Sequence, residues 1–140
     1  TPAQFAAKHQ LLAAIRDKID EIHRTVAEIR TAREIVAIGT VGERRQASGD
    51  ALVDQLWAIE DELIQFRATT PKELSQVPPM LDDQLSTLAA FLEETDRPET
   101  KQDREFYEDI AAQADRHIAR FRMLVEKEPR LRRSAGPDHP

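Results

Sequence analysis

Apolar residues recur along this chain at alternating three- and four-residue steps. Leu12, Ile15, Ile19, Ile22, Val26 and Ile29 keep that rhythm, and Val36 follows a full heptad after Ile29. A seam of this kind predicts one helix packed along its length on others, from about Pro2 to Ile38. Thr1, Pro2 and Gln4 form a capping-box pattern at its start. Arg33 interrupts the seam. It reads as a snorkelling arginine near a bundle end, with an interhelical ion pair as the alternative.

The next punctuation is "GTVGERRQASGD", where Gly39 suits the position just past a helix end. A second helix is predicted from Asp50, or as early as Glu43, to Ala68. Its seam is Leu52, Leu56, Ile59, Leu63 and Phe66, widened by Val53, Trp57 and Ile64 into the broad face of a globular bundle. Thr70-Pro71-Lys72-Glu73 predicts one helical turn over 71–75. Val77-Pro78-Pro79 cannot continue it, because proline removes an amide donor and pushes its predecessor toward extended geometry.

A third helix is predicted from near Pro79, with Asp82 and Asp83 in its first turn and Leu81, Leu85, Leu88 and Leu92 as its seam. "DRPE" predicts the fourth, with Asp96 as cap, Pro98 in the first turn and Glu99 at the third position. It continues to about Lys127 with Tyr107, Ala111, Ala114, Ile118, Phe121 and Val125 facing inward. Pro129 ends it, and residues 129–140 are expected to be a disordered basic tail after a helical bundle over 1–128.

The fold class expected is therefore all-α: an elongated antiparallel helical bundle of three long helices and one shorter one. Short connections favour antiparallel neighbours. The first helix would be about 55 Å long and the third about 22 Å, so four helices lie side by side over only part of the length.

Composition agrees with this picture. Charged residues are 33% of the 140, apolar residues 40%, and there are only four glycines. The net charge of −6 gives no global attraction to nucleic acid or to an anionic membrane, so neither is an expected partner. No cysteine is present, which removes disulfides and thiolate metal sites. No apolar run approaches the roughly 20 residues of a membrane span. The chain opens on Thr1 at a helix start, which reads as a cut from a larger parent.

Candidate chemistry adds little. A di-iron bundle needs Glu-x-x-His on two helices. Only His23 has a carboxylate at that spacing, Asp20; His9 and His117 have alanines there, and His139 lies in the tail. The close acids of "IEDEL" (59–63) and "FLEETD" (91–96) read as a solvated face rather than an acid–base pair. Arg44-Arg45 and Arg130, Arg132 and Arg133 lack the aromatic interleaving of a nucleic-acid site. Trp57 reads as a core or interface anchor. No catalytic, cofactor or metal residue is assigned, and the chain alone is expected not to be an enzyme.

Several segments together resemble the C-terminal helical domain of secreted, sialidase-like BNR-repeat proteins, bacterial β-propellers often labelled glycosyl hydrolases and related to the sortilin propellers. The residues are "HRTVAEIRTARE" (23–34), "AIEDELIQ" (58–65), "PPMLDDQLSTLAA" (78–90), "DRPE" (96–99) and "FYEDIAAQADRHI" (106–118). The Pro-Pro and Arg-Pro entries into the third and fourth helices are the most specific pieces. The resemblance implies a non-catalytic accessory bundle that packs on a parent propeller in an exported protein. The Asp-box repeats of such a propeller, Ser-x-Asp-x-Gly-x-Thr-Trp, are absent from this sequence. A free-standing partner-binding module is the alternative.

One further expectation concerns association. The first helix outreaches its neighbours, so some of Phe5, Leu11, Leu12, Val36 or Ile38 should lack an intrachain partner, with Phe5 and Leu11 as docking residues. A second copy on that strip would give a weak two-fold homodimer. The alternative is that Leu124, Val125 and Leu131 cover it.

Overall fold

The computed structural model describes residues 2–39, 47–64, 80–128 and 131, with 38–39 and 47–50 described as backbone alone. All the regular structure in the described residues is helical: α1 (Pro2–Gly39), α2 (Ala47–Leu63), α3 (Leu81–Glu94) and α4 (Lys101–Lys127). The all-α class read from the seams is therefore observed. Two helices are long and two are shorter among the described residues. The cap expected at Thr1, the turn over 71–75, the extension of α2 to Phe66 and Ala68, and the tail expected over 129–140, apart from Leu131, lie outside them.

The predicted seams form the core. Leu12, Ile15, Ile22, Leu56, Ile59, Leu63, Leu85, Leu88, Ile118 and Phe121 are all buried. α1 touches each of the other helices, as its long seam requires. Leu131 is fully buried too and joins the same cluster, with its N–H bonded to the Glu128 carbonyl.

Cross-helix contacts fix the order of the columns. Lys8 meets the carbonyls of Thr95 and Arg97, Arg16 meets Glu93, and His23 meets Asp82, so α3 descends as α1 rises. Tyr107 meets Ala14, Asp115 meets Lys18 and Arg122 meets Glu28, so α4 runs in the same direction as α1. Glu60 of α2 meets Arg30 and Arg33, further along α1. α2 and α3 thus flank successive stretches of α1.

Two helix starts show how local chemistry decides boundaries. α3 begins after an extended Met80, with Asp82 and Asp83 in its first turn, close to the expected place. α4 begins later than expected. The Thr100 side chain accepts from the Asp103 N–H, and the Asp103 carboxylate accepts from the Thr100 N–H. This capping box displaces the one expected at Asp96 and Glu99. Asp103 also accepts from Arg97, while Lys8 holds the Thr95 and Arg97 carbonyls, so 95–100 is a fixed connection outside the helix.

Candidate functional site

Three places among the described residues combine shape with chemistry, two on the surface and one buried. The first is a groove of about 680 Å³ at the start of α1, where α3 ends. Phe5, Lys8, His9 and Leu12 form one wall, and Leu92, Glu93, Thr95 and Asp96 form the other. Phe5 is 67% exposed, the most exposed large apolar side chain described. Lys8 crosses the groove, its ammonium donating to two backbone carbonyls of the 95–100 connection. The Thr95 hydroxyl is buried there with no hydrogen-bond partner among the described residues. Leu11, expected to dock beside Phe5, is instead buried at 7% exposure, and Leu12 and Val36 are buried as well. The helix turns Leu11 inward, since it sits one residue before the seam on the side that the core fills.

The second is a broad, open groove of about 1000 Å³ along α1, lined by charged side chains and Tyr107. Lys18 crosses to α4 and donates to Glu21 at 2.7 Å and Asp115 at 2.6 Å. Burial alone would lower the Lys18 pKa, but these two carboxylates outweigh it and raise it. Burial also raises the Tyr107 phenol. His23, the half-motif histidine, lies 3.3 Å from Asp82 of α3 and not against a second His-bearing helix. Burial raises Asp82, against the bond from His23, and its second oxygen has no partner among the described residues. Among the described residues, no group of three His, Asp or Glu side chains is placed to hold a metal ion.

The third is a buried charge. Glu60 is completely enclosed and accepts from Arg33 and Arg30 of α1. The Arg33 guanidinium also stacks 3.6 Å from the Trp57 ring centre. This corrects two expectations. Arg33 is half of an interhelical ion pair rather than a snorkelling side chain, and "IEDEL" is not wholly a solvated face. The sequence signal was there: a cation interrupts one seam, and an acid adjoins another. With the cations bonded and stacked, the cluster ties α1 to α2.

The remaining candidates sit apart. His117 is half-buried, its pKa lowered by burial, with Arg120 at 3.4 Å from its ring. His9 is exposed on the rim of the first groove. Glu93, Glu94 and Asp96 are exposed, as a solvated face requires. Arg44, Arg45, Arg130, Arg132, Arg133 and His139 lie outside the described residues. No described helix is long and apolar enough to cross a membrane. No protein-family model, curated protein or solved structure matches the chain.

Proposed function

We propose that this chain is a non-catalytic accessory domain from the C-terminal part of an exported β-propeller protein of the BNR-repeat, glycosyl-hydrolase-like kind. Its role is packing and protein interaction, on an elongated bundle with α2 and α3 stacked in one column. The resemblance of 23–34, 58–65, 78–90, 96–99 and 106–118 supplies the parent. The observation that carries the interaction role is Phe5, 67% exposed on a groove whose far wall is pinned by Lys8. Phe5 would supply there an aromatic anchor of the kind in which interface cores are enriched, beside a polar wall that can hydrogen-bond.

The propeller is the partner this reading assigns to that groove. The test is calorimetry of this chain against the separately produced propeller, using Phe5→Asp beside the unaltered chain. Binding that weakens about tenfold or more with Phe5→Asp supports the reading, since a buried anchor residue contributes on that scale. Equal binding by both chains removes the groove from the interface, and no binding by either removes the propeller as partner.

A further inference from the structure

The exposed side of α4 carries a charge pattern whose basic end, Arg120 and Lys127, also rims a groove beside Gln55 and Ile59 of α2. Glu105, Asp109, Arg116, Arg120 and Lys127 fall within about 60° of arc at 3.6 residues per turn. All five are exposed, and they lie roughly opposite the core residues Ala114, Ile118, Phe121 and Val125. The first two are acids and the last three are bases.

This order carries a cost in the single chain. Glu105 and Asp109 are like charges four residues apart, and so are Arg116 and Arg120. Each such pair destabilises a helix by about 0.2–0.5 kcal/mol. Intrachain relief is partial: Lys101 precedes Glu105 by four residues, Asp109 accepts from Gln113 at 3.0 Å, and Arg120 lies 3.4 Å from the His117 ring. The helix dipole favours acids early and bases late, but only within the first and last turns. Asp109 and Arg116 are both more than a turn from either end of α4 (Lys101–Lys127).

An acidic half followed by a basic half on one face is complementary to itself when reversed. We infer that the outward face of α4 pairs with the same face of a second copy, antiparallel about a two-fold axis. In that register Glu105 of each copy meets Arg120 of the other, and Asp109 meets Arg116, giving four ion pairs. The axis passes beside Ala112, an exposed residue small enough to let the helices approach closely. Met123, 53% exposed, and Phe106, 44% exposed, border the stripe and supply apolar contact. Such a contact is isologous and closes at two copies. It does not use the α1 strip, where Leu11, Leu12 and Val36 are already buried, and it is independent of the propeller reading.

Charge reversal tests the pairing. Sedimentation equilibrium of the full chain at low salt should show a monomer–dimer equilibrium that weakens as salt is raised. Arg120→Glu puts two like-charge contacts into the dimer and should raise its dissociation constant about tenfold or more. Glu105→Arg with Arg120→Glu restores opposite charges and should return it to within about threefold of the starting value. Because the chain has no cysteine, Ala112→Cys gives a second readout. It should oxidise to a linked dimer faster than Ala27→Cys, on the exposed side of α1. A chain that stays monomeric to millimolar concentration overturns the inference. So does a dimer indifferent to Arg120→Glu, or one not restored by the double change.

Discussion

Arg33 of α1 donates to the fully enclosed carboxylate of Glu60 on α2 while its guanidinium plane lies 3.6 Å from the centre of the Trp57 ring. Two surfaces that would otherwise hold only apolar seams are thus registered by Glu60 and its two arginine partners, Arg33 and Arg30. A buried ion pair contributes little over an apolar pair of the same shape, but removing one partner strands a charge. Arg33→Met should therefore cost about 3 kcal/mol, at the low end of that effect because Arg30 still reaches Glu60. Arg33→Met with Glu60→Leu should recover most of the loss. Urea unfolding of the three chains measures this; a double variant no more stable than Arg33→Met would show that Glu60 is not the stranded charge.

Ile59 adjoins Glu60 and is 1% exposed. Ile59→Ala should cost about 2–5 kcal/mol, the span set by how far the core collapses into the space. An unchanged urea midpoint would remove Ile59 from the core.

Seam residues such as Ile59 were legible because burial follows helical period, which needs only the local sequence. What the period does not encode is which helix lies opposite. Glu60 looks solvated within "IEDEL" until Arg30 and Arg33 are placed across from it. The start of α4 shows a second limit. Asp96-x-x-Glu99 and Thr100-x-x-Asp103 are both capping-box patterns, and the choice falls to Thr100 because distant Lys8 and nearby Arg97 fix the connection. Strict alternation of consecutive helices would set α3 parallel to α1, whereas its contacts run antiparallel. Antiparallel order follows from short connections, and the chain between Leu63 and Leu81 is not short. The Phe5 groove was half legible: Phe5 is exposed as expected, whereas Leu11 is not.

The two carboxylates at helix starts should give opposite pH dependence. Burial would raise Asp103, but the bonds from Arg97 and Thr100 outweigh it and lower its pKa. Its contribution is present above the ordinary aspartate value and lost as pH falls through the lowered one. Asp82 is raised, chiefly by burial. Its folded state binds the proton more tightly than the unfolded state, so its contribution is largest in acid and lost as pH rises through the raised value. Asp103→Asn should thus flatten the loss of stability in acid. Asp82→Asn should make the chain more stable at neutral pH than the unaltered one. Unfolding midpoints between strongly acidic and neutral pH check both signs; an Asp82→Asn chain less stable at neutral pH would contradict the second.

Thr100→Ala removes one half of the α4 cap and should cost about 0.5–2 kcal/mol. Amide exchange should quicken over the first turn after Thr100 and not over α3. Exchange unchanged at Asp103, whose N–H donates to Thr100, would show that the cap does not hold that end.

An accessory domain without its own chemistry should leave sialosides and aryl glycosides intact. Incubation of the purified chain with both should match the blank. Turnover above it, abolished by a substitution within this chain such as Tyr107→Phe in the α1 groove, would contradict the non-catalytic reading.

The proposed pairing of this bundle with a propeller can be checked in the encoded sequence upstream of Thr1. If the proposal is right, Asp-box repeats of the Ser-x-Asp-x-Gly-x-Thr-Trp type lie in a β-rich region before this domain, behind an export signal. An initiator methionine within a few residues of Thr1, with no such region, would contradict it.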